Sequence, residues 1–276
     1  MNLILKTAGI SLIVQIIIAC IGLYGISLSI PSDMYILKEL LVMETVVQII
    51  ELIYYVWLIQ NFTSIHYDVT FTRYFDWVFS TPIMLISTVL YMKYRNTNRF
   101  VPRIAEESVS IQVPTIPSPQ RKPSTLTDQN TKPSTTQNGL QFLPLLIENA
   151  SPILWILGFN WLMLLFGFLG ERQLISRTMG FVWGTLFFVA SFATIYAYFV
   201  GIDMTNQLLF WFMFVVWGMY GVAYLFSYTT KNILYNFLDI VSKNFYGVFL
   251  FMEVRRASLS KMSGPQTHWI PRTYHI

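Results

Sequence analysis

Long apolar runs, rather than an alternating pattern, organise this chain. Seven stretches stand out, near Leu3–Ser27, Leu40–Asn61, Val69–Tyr94, Leu143–Leu169, Gly180–Val200, Gln207–Tyr228 and Ile233–Phe251. A helix rises 1.5 Å per residue and a bilayer's hydrocarbon core is ~30 Å thick, so about 20 mostly apolar residues suffice to cross it. The pattern therefore predicts an all-α membrane protein, a bundle of seven transmembrane helices. The first run has a single basic residue near its start, Lys6, and is too long for a signal peptide, so it reads as a retained helix. Residues 96–142 are of another kind. They contain PTIPSPQRKPSTLTDQNTKPSTTQNG, rich in Pro, Ser, Thr and Gln, which cannot bury enough apolar surface to offset its ordering entropy. The organisation expected is helices one to three over residues 1–95, a disordered loop over 96–142, helices four to seven over 143–252 and a tail over 253–276. The loop reads as a tolerated insertion, with a basic interaction segment or phosphorylation target as the alternative.

Composition agrees with the pattern. Of 276 residues 54% are hydrophobic and 12% charged, against roughly a quarter charged in soluble domains. That excludes a soluble enzyme and a disordered scaffold. One cysteine, Cys20, leaves no intramolecular disulfide, and the three histidines (His66, His268, His275) lie far apart, so no metal site is expected. A net charge of +4 in so apolar a chain points to the cytoplasmic side of a bilayer rather than to nucleic acid. Lys38, Arg95, Arg99, Arg103, Arg121, Lys122, Lys132, Arg255, Arg256, Lys261 and Arg272 fall on one side of the spans, Arg172, Arg177 and Lys231 on the other. The N-terminus is thus expected outside and the C-terminus in the cytoplasm.

Charges inside spans are costly and usually functional. Here they are Glu44 and Glu51 in the second span, Arg73 and Asp76 in the third, Asp239 and Lys243 in the seventh. Lys243 lies ~12–15 Å from the ends of its span at helical rise, beyond the reach of its stem to water. It must be paired, neutralised or covalently modified. Asp239, four residues earlier on the same face, is a natural counter-charge. A buried neutral amine is also the nucleophile that condenses with aldehydes. A structural Asp–Lys pair is the competing reading.

The stretch Arg73-Tyr74-Phe75-Asp76-Trp77-Val78-Phe79-Ser80-Thr81-Pro82 resembles the RYxDWxxTTP signature on the third helix of microbial (type 1) rhodopsins. Leu238-Asp239-Ile240-Val241-Ser242-Lys243 resembles the LDxxxK motif of their seventh. Trp217-Gly218-Met219-Tyr220-Gly221 is similar to their WxxYP motif with Gly in place of Pro, and Phe181-Val182-Trp183 to the start of their fifth helix. The resemblance runs through all seven helices in order. It implies all-trans retinal in the bundle core, carried on Lys243 as a protonated Schiff base, with Asp76 as counterion and Asp239 as second carboxylate. It places Trp77, Thr81, Met84, Trp217 and Tyr220 around the polyene and gives Arg73 the organisation of charge on the outer side. It also suggests a bridge from Thr81 to Asn160 on the fourth helix, although the gapless offset lands on Trp161. Met84 at a colour-tuning position implies a green-absorbing pigment.

Asp76, Ser80 and Ser87 form the triplet that sorts activities in this family. An aspartate first is unlike chloride pumps, the set is unlike sodium pumps, and Ser87 stands where outward proton pumps usually hold a carboxylic donor. In the second span Glu44, Gln48, Glu51 and Tyr55 form one helical stripe. They resemble the pore-lining glutamates of channelrhodopsins and of the rhodopsins of giant algal viruses, which places the chain in a host-cell membrane if it is viral. Ser11, Gln15 and Asn244 could complete a polar ion pathway with Glu44, Gln48, Glu51, Arg73 and Ser80. The function expected is a light-gated channel for small cations (H+, Na+, K+), not an enzyme. The alternatives are an outward proton pump, a sensor signalling through the long loop, and a transporter without retinal. The competing reading of Glu44 and Glu51 is structural hydrogen bonding between helices. Glu148 reads as the start of the fourth helix, Asn61-Phe62-Thr63 is a formal glycosylation sequon, and oligomerisation is left open.

Overall fold

The computed structural model describes residues 3–63, 69–110 and 140–263. They fold as helices α1 (Leu3–Ser27), α2 (Tyr35–Asn61), α3 (Arg73–Ser110), α4 (Phe142–Glu148), α5 (Ala150–Glu171), α6 (Arg177–Ile195), α7 (Met204–Tyr224), α8 (Tyr228–Asp239) and α9 (Phe245–Ser263). Short 3-10 turns precede α2 and α3, and two π-helical turns, Tyr196–Val200 and Ile240–Asn244, extend α6 and join α8 to α9. Among the described residues, six helices are long and apolar enough to cross a membrane. The seventh span is the continuous rod α8–π–α9, whose mean hydropathy is lowered by Asp239, Lys243 and its basic end. In lipid every backbone polar group must be satisfied within its own segment, which is why helices are the solution.

The helices close into a bundle. α1 packs on α2, α8 and α9, α2 on α3, α3 on α5, α5 on α6, and α7 on α8. Burial is inverted relative to a soluble protein. Ile13, Ile17, Phe75, Trp155 and Leu208 are exposed, whereas Glu44, Glu51, Arg73, Asp239 and Lys243 are buried. Lipid accepts the apolar side chains, so the polar ones collect inside. Close approach depends on glycine at α1. A Cβ on Gly25 would lie 2.6 Å from the Leu41 side chain and 2.8 Å from Phe251, so that position seats α1 against both α2 and α9.

Several boundaries differ from the sequence expectation, and α9 runs to Ser263, into the expected tail. The loop expected from residue 96 begins as helix, because α3 continues to Ser110 through a segment containing the helix formers Arg103, Ala105, Glu106 and Glu107. The rest of that loop, 111–139, and the end of the tail, 264–276, lie outside the described residues. The fourth span is interrupted at Asn149, whose side chain takes the Leu145 carbonyl at 2.8 Å. Pro152 lacks the N–H that would bond the Glu148 carbonyl, so the helix restarts there. Glu148 therefore ends α4 instead of opening the span, and faces Lys93 at 3.7 Å.

Candidate functional site

Helical spacing brings the polar residues of three spans to one place. On α3, Arg73, Asp76, Trp77, Ser80, Thr81 and Met84 recur at the three- and four-residue intervals of one face. On α2 the stripe is Glu44, Gln48, Glu51 and Tyr55, and on the seventh span Asn232, Asn236, Asp239 and Lys243 follow at intervals of four, three and four residues. All of these are buried.

Lys243 Nζ lies 2.6 Å from Asp76 Oδ2 and 3.5 Å from Glu51 Oε1. The direct pairing of Lys243 with Asp239 expected from their spacing is not made. Asp239 is instead taken by other donors: its Oδ2 accepts from Arg73 Nη1 at 3.1 Å and from the Tyr55 hydroxyl at 2.7 Å, and its Oδ1 from the Tyr220 hydroxyl at 2.7 Å. Two linked ion pairs result, Lys243–Asp76 with Glu51 beside it, and Arg73–Asp239. Arg73 also donates to Asn232 and Asn236 and lies 5.6–5.9 Å from the rings of Tyr54, Tyr55 and Tyr235. The sequence reading put Glu51 among pore residues and did not single out Asn232, Asn236, Tyr235 or Ser242. The one-face spacing of Asn232, Asn236, Asp239 and Lys243, at intervals of four, three and four, was the available signal.

Lys243 sits inside the second π turn. A π turn displaces the usual carbonyl pairing, and Gln48 Nε2 donates to the Lys243 carbonyl at 3.2 Å. Thus α2 touches the lysine twice, through Gln48 at its backbone and Glu51 at its side chain.

From Lys243 a cavity of about 340 Å³ runs between α3, α5, α6 and α7, within the ~300–1,000 Å³ typical of small-molecule sites. Trp77, Thr81, Met84, Trp217 and Tyr220 line it. Trp77 meets Tyr220 and Tyr235 edge-on, at 5.4 and 5.2 Å between centroids, which stiffens one wall. Gly218 and Gly221 also line the cavity, and a Cβ on either would find no atom closer than 3.8 Å. Asn160 Nδ2 donates to Thr81 Oγ1 at 2.9 Å, so α3 and α5 are tied beside it, with Asn160 rather than Trp161 making the bond. A narrow aromatic slot ending at a primary amine fits a flat polyene aldehyde such as retinal.

A second feature leaves the lysine along α1, α2 and the seventh span. Ser11 faces the Tyr55 hydroxyl, and Glu44 and Gln48 converge with Ile18 on Gly247. Ser11, Gln15, Glu44, Gln48, Glu51 and Asn244 are all buried, and both polar atoms of each of the Gln15, Glu44 and Asn244 side chains meet no protein partner in hydrogen-bond geometry. Buried polar groups of this kind are normally satisfied by water or ions. Ser80 stands beside Asp76. The Arg73 network closes this seam at the end where α1 and α3 begin. At the opposite end Ser87 bonds Tyr246 at 3.0 Å and Tyr91 bonds Glu253 at 3.2 Å. Among the described residues no group of three or more His, Cys, Asp or Glu is placed to hold a metal ion.

The profile of the bacteriorhodopsin-like protein family matches residues 6–111 and 139–256. No curated protein sequence shows significant similarity to the chain. Among solved structures, the viral rhodopsin OLPVRII is 25% identical with a TM-score of 0.70, over 92% of this chain and 99% of that one. The thermophilic rhodopsin from Rubrobacter xylanophilus is 15% identical with a TM-score of 0.63, over 95% and 100%. The proton-pumping rhodopsin AR2 from the marine alga Acetabularia acetabulum is 17% identical with a TM-score of 0.57, over 94% and 97%. These last two share the fold. The chain is a multi-pass membrane protein that belongs to the bacteriorhodopsin-like family, whose members carry retinal as chromophore, and retinal is its cofactor.

Proposed function

We propose that this protein is a photoreceptor acting as a light-gated cation channel, and not an enzyme. Lys243 is the attachment point, being the primary amine at the closed end of the aromatic cavity. Retinal bound there supplies the absorption of light and, on isomerising, a change of shape within the slot. Asp76 Oδ2, 2.6 Å away, stabilises the proton on the Lys243 nitrogen in the dark and receives it after illumination. Asp239 stays held by Arg73, Tyr55 and Tyr220. Loss of the Lys243–Asp76 pairing acts on α2 directly, through Glu51 at the nitrogen and Gln48 at the carbonyl. The seam of Ser11, Gln15, Glu44, Gln48, Glu51 and Asn244 then admits water and cations.

The observation that carries this reading is the buried seam of unpartnered polar groups joined to the lysine. Rings of carboxylates lower the barrier for cations in a constriction. Charge points the same way. Glu51, Asp76 and Asp239 face Arg73 and Lys243, leaving one negative charge in excess when all are ionised. A buried cluster needs that charge compensated, so this one takes up a proton or a small cation such as Na+ or K+. The asymmetry of Lys and Arg supports an outer N-terminus and a cytoplasmic C-terminus.

Whole-cell recording under illumination tests the channel. Photocurrents that reverse with the cation gradient are expected; a steady outward current at zero driving force overturns it. Such a current would favour an outward proton pump. One observation favours that second reading: Glu44 is a buried carboxyl on the cytoplasmic side of Lys243, where Ser87 offers no acid.

A further inference from the structure

The cavity that ends at Lys243 is sealed toward both aqueous faces. On the outer side Lys231 pairs with Glu171 at 2.6 Å, Arg177 donates to the carbonyls of Tyr224 and Phe226, and the Arg73 network occupies the centre. On the inner side Asn206 Nδ2 donates to the Met92 carbonyl and to Asn96 Oδ1, both at 3.0 Å, while Arg95 reaches Asp203 at 3.5 Å. These contacts tie α7 to α3 at one end, and α6 to α7 and α5 to α8 at the other, with polar bonds. A bulky apolar molecule coming from water would have to break them.

The lipid-facing side is different. Gly184 and Thr185 on α6 and Gly218, Gly221 and Val222 on α7 all line the cavity. Thr185 is exposed, and Val222 is 44% exposed, so cavity wall and lipid-facing surface are here the same residues. Phe181 and Phe188 frame this stretch. The nearest atoms to a Cβ on Gly221 belong to Phe181, at 3.9 Å, and those to a Cβ on Gly218 belong to Phe188, at 3.8 Å. The two rings are seven residues apart on α6, or ~10 Å at helical rise. Between them the facing helix offers glycine. Helix backbones satisfy their own hydrogen bonds, so a gap in a helix seam leaves no polar group stranded in lipid.

The geometry points to a lateral window between α6 and α7, framed by Phe181 and Phe188, through which retinal passes from the bilayer to Lys243. This rests on the retinal reading above. An apolar polyene concentrates in the bilayer because each buried CH₂ contributes ~0.8 kcal/mol, and the window opens onto that reservoir. The glycines keep the passage clear, and the cavity leads an aldehyde end-on to the amine.

The test mixes retinal-free protein in phosphatidylcholine vesicles with vesicles carrying all-trans retinal and follows the rate at which the visible band grows. Filling the passage with Gly218→Leu, or its lipid-side rim with Val222→Trp, should slow that rate roughly tenfold, equivalent to about 1.4 kcal/mol of added barrier. Phe181→Ala should speed it. The opposite signs keep the test decisive even if Gly218→Leu does not fold. Wild-type rates in Val222→Trp and Phe181→Ala would overturn the window. A wild-type protein that never colours would overturn the retinal reading itself, and the window with it.

Discussion

Arg73 has no solvent exposure, yet it holds Asp239, two asparagines and three tyrosine rings together. Removing one partner of a buried pair leaves the other uncompensated, at about 3–5 kcal/mol. Arg73→Gln should therefore lower the thermal midpoint of the protein sharply. Glu51→Gln should do the reverse of damage, since it keeps the shape and removes the one excess negative charge of the cluster. That variant should retain colour, and its photocurrents should discriminate less between cations and anions. Lys243→Ala should give no visible band with retinal; a normal band in that variant would refute the attachment point. Lys243, Asp76 and Arg73 were legible as important because a charge in the middle of an apolar run is anomalous on local grounds alone. The pairing of Lys243 with Asp76 was legible only through the resemblance of the third-span motif, and the partner of Arg73 was not legible. Asp239 looked like the partner of Lys243 at four-residue spacing, but Arg73, 166 positions away, takes it.

At the scale of elements, the seven apolar runs became the spans, while their ends moved wherever a backbone effect intervened. Asn149 with Pro152 split the fourth, and a π turn entered the seventh at Ile240–Asn244. Neither apolar periodicity nor composition encodes a π turn, because it is stabilised by what packs against it, here Gln48 on the Lys243 carbonyl. Gln48→Leu should thus alter the rate of the light-driven cycle while leaving retinal binding intact, measurable by flash photolysis. Gly25 is the matching case for packing. Its Cβ would overlap Leu41 and Phe251, so Gly25→Val should cost about 1–3 kcal/mol, read as earlier thermal loss of colour.

For the molecule as a whole, lipid outside and polar groups inside leave two internal spaces that meet at one nitrogen, an aromatic slot toward α6 and α7 and a polar seam toward α1 and α2. Their junction at Lys243 is what would convert absorption into permeation. An epitope added at the N-terminus should be reachable by antibody on intact cells and one at the C-terminus only after permeabilisation, which checks the orientation inferred from Lys and Arg.

The sequence by itself determined the membrane environment, the number of spans and the few charged positions that could carry chemistry. Each follows from the free energy of transferring local stretches of chain into hydrocarbon, a quantity read without knowing any neighbour. Only the tertiary structure decided that Asp239 serves Arg73 rather than Lys243, that Glu51 belongs beside the lysine, and that the glycines of α7 face a cavity. Those outcomes depend on how helices far apart in the chain are rotated against each other. A local sequence window holds no term for that.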